Sequence, residues 1–360
     1  MKPVVVVTGT RPEIIKMAPI LRELQKRNLP RLFVHCGQHY DYNMAQQFIE
    51  ELELPAPDYG FELRGASANG QMARIITRMD KFLKKNEVSI VLVEGDTTTV
   101  LAAALAANKR GVPVGHVEAG LRSFDLRMPE EHNRRLTDHI SNLLFAPTEN
   151  AKANLLRESV WGKIYVTGNT VIDAVSQHLP LAEKKSQILR QIRFDKFILA
   201  TAHRAENVDD LEVLKNFIGS FGESPLPVVY PMHPRTRKRL KQAGLLAEVK
   251  RMRNLQVFPP LGYLDFLVLM RQCELIVTDS GGIQEEATAP AIRKPVVVIR
   301  LSTERQEAVE AGFAEVVGTG KQEILHGIKT ALGKKHFPES SPFGEGDAAE
   351  QTAKIILTEF

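Results

Sequence analysis

A chain of 360 residues, 43% hydrophobic and 25% charged, has ordinary globular composition and exceeds one typical core, so two domains are expected. Its formal charge of +4 is small and dispersed, which gives no sign of a nucleic-acid surface and suits a small polyanionic substrate. No apolar run approaches the ~20 residues of a membrane span, and the opening MKPVVVVTGT leads into a strand without a signal-peptide pattern.

Strands and helices alternate along the chain. Residues 4–8 form a β-branched run that predicts a strand, and 12–27 an amphipathic helix. Strands are expected at 32–36 and 89–93, the second after a helical stretch at 67–85, and then at 114–117, 143–146 and 164–167. Over 179–193 the strand signal fades and charges scatter, which predicts a helix and a domain connection. The pattern restarts at 197–202 and continues through 227–230, 255–258, 275–278, 296–299 and 315–317. Residues 338–346 read as a loop and 347–360 as a closing helix. Two runs of βα units imply an α/β chain with two Rossmann-like, doubly wound domains. The expected division is 1–178, 179–346, and 347–360 as a helix packing back on the first domain. Cys36 and Cys273 lie in apolar strand contexts without metal-ligand spacing, which reads as two buried thiols in a reducing cytoplasm.

Doubly wound sheets place functional groups at the carboxyl ends of their strands. The first such end is Thr8-Gly9-Thr10-Arg11-Pro12-Glu13, with Lys16 on the helix that follows. Pro12 suits the first helical position and Glu13 the helix dipole, while Arg11 and Lys16 lie near the opening, where Lys16 by itself reads more readily as a solvated helix charge than as a ligand. No G-x-G-x-x-G occurs here, so a nicotinamide cofactor is not indicated. Asp96, in Glu94-Gly95-Asp96-Thr97, falls where a helix begins and suits an N-cap as well as an acid–base role. Glu118 ends the strand that starts at Val114, a costly place for a carboxylate without a partner or a task. Glu130 opens the Pro129-Glu130-Glu131-His132-Asn133-Arg134 helix, where the dipole favours acids in any case; Arg134 is counted with the substrate-binding residues. Three carboxylates in one cleft push their pKa values apart, which lets one act as acid and another as base.

In the second half, His203 and Arg204 follow an apolar strand and are placed for a diphosphate, while His233 reads as structural. Phe266 fits either a wall for a nucleobase or plain helix core. Leu275 to Thr278 is a strand, Asp279 and Ser280 end it, and Gly281-Gly282 open a helix carrying Glu286 one turn in. Strand, Gly-Gly turn and helix start together suit an anion, with Ser280 as cap or donor and Glu286 placed for a ribose diol. Glycines that only permit close packing would give the same turn. Thr303-Glu304-Arg305-Gln306 completes the set.

GTRPEIIKMAP, EGDTTT, GHVEAGLRS, PEEHNRRLTDH, TGNTVIDA, AHRAEN, TDSGGIQEEA and STERQEAVEAG occur in that order, from Thr8 onward. In this series the chain resembles the non-hydrolysing UDP-N-acetylglucosamine 2-epimerases. The resemblance implies two Rossmann-like domains of the glycosyltransferase-B type with substrate in a central cleft. It also implies interconversion of UDP-GlcNAc and UDP-ManNAc without NAD, a homodimer, and supply of polysaccharide synthesis; no metal is expected, since nothing in the sequence has metal-ligand spacing. By the same resemblance Arg11 and Lys16 face the diphosphate and sugar. Asp96, Glu118 and Glu130 form the acid–base group, His203 meets the pyrophosphate, and Ser280, Gly281 and Gly282 the phosphates. Glu286 holds the ribose, Phe266 the uracil side, and Arg305 the sugar or phosphate end.

The chemistry is consistent with that expectation. The carbon-2 proton of the sugar is not acidic, because no carbonyl is conjugated to it. Loss of UDP gives carbon-1 the oxocarbenium character that makes the proton removable, leaving 2-acetamidoglucal; reprotonation from the other face and return of UDP complete the inversion. Carboxylates on both sides of the sugar, cations on the diphosphate and exclusion of water are required. A glycosyltransferase would need an acceptor groove instead, a UDP-sugar sensor would need no three carboxylates, and a hydrolysing epimerase would release free ManNAc. Related enzymes act on diacetamido-uronic acid nucleotides.

Four segments depart from the family pattern. Gln38-His39-Tyr40-Asp41-Tyr42-Asn43 stands where relatives carry a QHREML-like regulatory segment; His203-Arg204-Ala205-Glu206 is one basic residue short; Gln306 replaces a usual Pro; and ATAPAIRKP is two residues longer than usual. None removes a residue carried over above. The first departure predicts hyperbolic kinetics, with UDP-ManNAc converted in reverse without added UDP-GlcNAc; reverse turnover that starts only on adding UDP-GlcNAc would show that a regulatory site exists.

Overall fold

The computed structural model describes residues 2–37, 39–63, 67–334 and 336–360, without the side chains of 39–44 and 205–206. Gln38, the side chains of the regulatory-type segment after it, and those of Ala205 and Glu206 therefore lie outside the described residues. The chain divides into two compact units, Met1–Ala174 with Phe343–Phe360, and Val175–Pro342. The expected boundaries at 178 and 346 each fall a few residues later than these. The first lies inside a continuous helix, Thr170–Lys185, where composition offers no break to read.

In the first unit the strands are β1 (Val4–Thr8), β2 (Arg31–Gly37), β3 (Tyr59–Glu62), β4 (Ile90–Glu94), β5 (Val114–Val117), β6 (Leu143–Ala146) and β7 (Lys163–Val166). They form one sheet in the order β3-β2-β1-β4-β5-β6-β7, every pair parallel. β1 and β4 are buried along their whole length, because helices cover both faces of a parallel sheet and a continuous apolar run is what such a strand requires. β3 and the helix His39–Glu51 were not expected. β3 is a four-residue edge strand, YGFE, in which Phe61 is the buried member; an edge position needs no apolar run, so the sequence signal is weak there.

The second unit carries β8 (Ile198–Thr201), β9 (Val228–Pro231), β10 (Leu255–Phe258), β11 (Leu275–Thr278), β12 (Val296–Val298) and β13 (Ala314–Val316), in the order β10-β9-β8-β11-β12-β13 and again all parallel. Strand order reverses between β1 and β4 in one sheet and between β8 and β11 in the other. Ligands of open α/β sheets bind outside the carboxyl ends of the strands at such points. The Thr8–Glu13 and Glu94–Thr97 segments flank the first; His203 with Arg204 and the Asp279–Gly282 turn flank the second.

The closing helix, Ala348–Glu359, belongs to the first unit and packs on the helix Arg11–Lys26. Its N-cap residue, Asp347, makes no side-chain cap. Asp173, far away in sequence, supplies that function: its carboxylate accepts the amides of Ala348 and Ala349 at 3.3 and 2.9 Å. At the other end Glu359 accepts from Lys163 and Tyr165 at 2.5 and 2.7 Å. No described helix is long and apolar enough to cross a membrane. Asp173→Ala removes a helix cap worth about 1 kcal/mol. Amide exchange over 348–359 should then quicken while β1 and β4 stay protected; unchanged exchange in that helix would count against the cap.

Candidate active site

At the carboxyl ends of β1, β4 and β5 two carboxylates, Glu94 and Glu118, meet one lysine, with Glu13 on that lysine's own helix. Lys16, on the Arg11–Lys26 helix, has its ammonium 3.1 Å from Glu94 Oε1 and in direct contact with Glu118 Oε2. Asn169 also donates to Glu118 Oε2, at 3.0 Å. Glu118 is left-handed, with φ +67°, and so stores backbone strain of roughly 1–3 kcal/mol at the place where its side chain meets Lys16. Glu13, buried on the same helix as Lys16, accepts from the Gly9 amide at 2.6 Å and from the Thr10 and Thr97 hydroxyls at 2.9 and 2.8 Å. A Cβ on Gly9 would run into the Thr99 side chain, so glycine is what lets this loop close on the helix Thr98–Lys109. Burial outweighs the three hydrogen bonds on Glu13 and pushes its carboxyl up to about 7, with Asp96 adding to the rise.

Asp96 is half-buried and paired with Arg134, and its carbonyl accepts from Asn133 at 2.9 Å. Arg134 is held in turn by Glu131 at 3.1 Å. Glu131 is fully buried and also accepts the Ser123 amide and hydroxyl, both at 2.9 Å, and the Phe124 amide at 3.3 Å. Burial raises the Glu131 carboxyl, but the two Ser123 donors with Arg134 and Arg122 outweigh it and hold it below the usual range. Beneath Asp96, His116 bridges Asp138 at 2.7 Å and the Gly95 carbonyl at 2.8 Å, and Arg122 closes on Asp138 and Glu158, each at 2.7 Å.

The structure thus brings Lys16 to Glu118 and Arg134 to Asp96. Glu130 is exposed on the first turn of the Pro129–Ile140 helix and makes no described contact with either carboxylate, and Arg11 is exposed over the Phe48 ring. Glu94, Glu131, His116 and Asp138 were not singled out by the sequence reading. For Glu94 the signal was available, since it ends an apolar strand just as Glu118 follows one.

In the second unit the Gly-Gly turn follows β11 as expected, and Ser280 is the N-cap of a short helix, Gly281–Glu286, without a side-chain cap bond. The glycines differ: a Cβ on Gly281 would lie 2.7 Å from Glu304, whereas one on Gly282 would meet nothing within 4 Å. Close packing therefore explains Gly281, and Gly282 faces open space. Asp279 is fully buried and ties the turn to the loop after β8, accepting the His203 and Arg204 amides at 2.8 Å each and Asn207 at 3.1 Å. The His203 imidazole lies 3.2 Å from Asp279, is 41% exposed, and sits 5.5 Å from the His233 ring. Burial, together with His203 and Arg235, lowers the basicity of His233. Arg305 is buried against Glu285 at 2.7 Å. Glu304 gathers Arg300 at 2.6 Å, Arg204 at 3.1 Å and Arg305 at 3.9 Å; burial raises its carboxyl, and the three guanidiniums overcome that to hold it at about 2. Glu286 is buried and its charge bears on Tyr263. Phe266 is half-buried, on the same helix as the buried Leu264 and Leu267. Among the described residues no group of three or more His, Cys, Asp or Glu is placed to hold a metal ion.

A family model described as UDP-N-acetylglucosamine 2-epimerase matches residues 22–357. The chain belongs to that family. It is 44% identical to the UDP-N-acetylglucosamine 2-epimerase of Methanocaldococcus jannaschii, over 98% of both chains. It is 38% identical to the UDP-2,3-diacetamido-2,3-dideoxy-D-glucuronate 2-epimerase of Pseudomonas aeruginosa, over 98% of this chain and 99% of that one. A solved structure of the M. jannaschii enzyme in complex with UDP-GlcNAc and UDP matches with TM-score 0.87 and full coverage of both chains. The Neisseria meningitidis enzyme bound to UDP-GlcNAc matches with TM-score 0.88 at 39% identity, over 99% of this chain and all of that one. The two-sheet architecture expected from the resemblance is thus the family's own.

The raised Glu13 carboxyl has a consequence for stability. A buried acid whose folded pKa exceeds the unfolded value stabilises the fold below the unfolded pKa, and that contribution is lost as pH rises through the folded value. Between the ordinary 4.5 and about 7 the wild-type chain should therefore lose stability. The loss is on the order of 3 kcal/mol. Urea unfolding of Glu13→Gln should lack that slope; an identical slope in the variant would place the proton elsewhere.

Proposed function

We propose that this chain interconverts UDP-GlcNAc and UDP-ManNAc by eliminating and re-adding UDP through 2-acetamidoglucal. The single observation that carries the reading is the group of carboxylates around Lys16 at the ends of β1, β4 and β5, in a chain that belongs to the epimerase family over nearly its whole length. Two carboxylates with different partners are what a reaction with one proton removal and one proton return demands: Glu118 on Lys16 and Asn169, Asp96 on Arg134. Glu130, exposed on its helix, is the third member, free to swing toward a bound sugar. Arg11, Lys16 and Arg134 serve the sugar and diphosphate. In the second unit Ser280, Gly281 and Gly282 present the helix start to the phosphates, and open space at Gly282 supports this. His203 serves the pyrophosphate, Glu286 the ribose, Phe266 the uracil side, and Arg305 the sugar or phosphate end. Buried free thiols at Cys36 and Cys273 support a cytoplasmic setting, and a homodimer supplying polysaccharide synthesis is the assembly we infer.

The Pseudomonas relative favours one other reading, a UDP-diacetamido-uronate substrate for the same chemistry. Proton NMR of the enzyme with each sugar nucleotide in deuterated water separates the two. Asp96→Asn, Glu118→Gln and Glu130→Gln should each lower turnover by roughly a hundredfold or more, with UDP affinity little changed. Deuterium should enter carbon-2 of the product, far more slowly in the variants. Normal epimerisation by the amide variants, or product without deuterium at carbon-2, would sink the elimination scheme.

A further inference from the structure

The proposed mechanism makes no use of Glu94, yet its carboxyl is 98% buried at the carboxyl end of β4. The charged groups that face it are Lys16 and Glu13 from the Arg11–Lys26 helix and Glu118 from the loop after β5. Three buried carboxylates and one ammonium thus share a site that is nearly closed to water. Such a group cannot carry three full negative charges against one positive charge at tolerable cost, so a proton stays inside it. Counting donors shows where that proton belongs. Glu13 accepts three hydrogen bonds, and Glu118 accepts from Lys16 and from Asn169. Glu94 Oε1 has only the Lys16 ammonium beside it, at 3.1 Å and farther than that ammonium's contact with Glu118, and takes no hydrogen bond from any other described donor.

We propose that Glu94 is a positioning residue for Glu118: its carboxyl holds the proton of this cluster, and so leaves the Lys16 ammonium committed to an ionised Glu118. Burial pushes the Glu94 carboxyl well above the usual range; Lys16 opposes the rise, and Glu118 and Glu13 reinforce it. The neutral acid leaves Lys16 to Glu118, and a carboxylate holding two donors on one oxygen is oriented as a base needs to be. When rising pH draws the proton from Glu94 into solvent, a second carboxylate competes for the same ammonium. The Lys16–Glu118 contact then slackens and turnover falls. The role of Glu118 rests on the mechanism proposed above, whereas the protonation of Glu94 does not.

Two measurements on the full chain test this. At a pH above about 7, where Glu13 has given up its proton, the infrared spectrum should contain a protonated-carboxyl C=O band that Glu94→Gln removes and that persists in Glu13→Gln. In the pH profile of kcat, the parent should show an alkaline limb that is displaced upward or absent in Glu94→Gln. At neutral pH that variant should lose roughly two- to tenfold in kcat, the scale of one hydrogen bond, with KM unchanged. A purely structural Glu94 would lower the melting temperature without moving the limb. If the variant is unstable, titration of the parent serves instead, since the band must vanish over the pH range in which kcat falls. A parent spectrum unchanged by Glu94→Gln overturns the protonation, and an alkaline limb unchanged by it overturns the positioning. A chain that fails to epimerise at all would still give the infrared answer, which keeps the two readings separable.

Discussion

Lys16 is the constraint on which the first unit's site depends. One ammonium, largely withdrawn from water, stands between Glu94 and Glu118, with Glu13 one turn earlier on its own helix. Without it the strand ends of β4 and β5 would bring together carboxylates whose burial nothing compensates, and breaking such a buried group typically costs about 3–5 kcal/mol. The surrounding backbone is shaped to keep these groups apart and fixed. Glu118 is held left-handed, and Gly95, at φ +82°, turns the chain from Glu94 toward Asp96. His116 grips the Gly95 carbonyl and Asn133 the Asp96 carbonyl, so bonds to the main chain fix the segment that carries Glu94 and Asp96.

The second unit solves the opposite problem. Its cations stand close together, and cations crowded together repel. Glu304, held ionised by Arg204, Arg300 and Arg305, keeps three guanidiniums close to one another. Asp279 does the same for main-chain dipoles, gathering the amides of His203 and Arg204 beside the Gly-Gly turn. Each acid sets the positions of the groups around it. Carboxylates thus hold cations and amides in place in the second unit, and share one ammonium in the first.

The fold was largely legible from periodicity. A parallel strand buried on both faces must be a continuous apolar run, and nearly every such run became a strand within one or two residues of its expected bounds. The edge strand β3 escaped because only Phe61 of its four residues is buried. The candidate site was legible in part as residue types at strand ends, which singled out Asp96 and Glu118, whereas Lys16 and Arg134 lie on helices and only the fold brings them to those acids. Gly281 and Gly282, equal in the sequence, separated in three dimensions into a packing glycine and an open one.

Composition and strand periodicity were enough to determine two doubly wound sheets and to place Asp96 and Glu118 at strand ends of the first, because those properties follow from local pattern and chain connectivity. Tertiary structure alone decided which acid met which base. The neighbouring Glu130 and Glu131 are indistinguishable in the sequence, yet one is exposed and the other is fully buried under five donors. Glu94 and Glu118 lie far apart in the chain and converge on one lysine only because β4 and β5 are neighbours in the sheet. Ionisation follows from burial and from the donors at hand, and both are properties of the assembled sheet rather than of any segment.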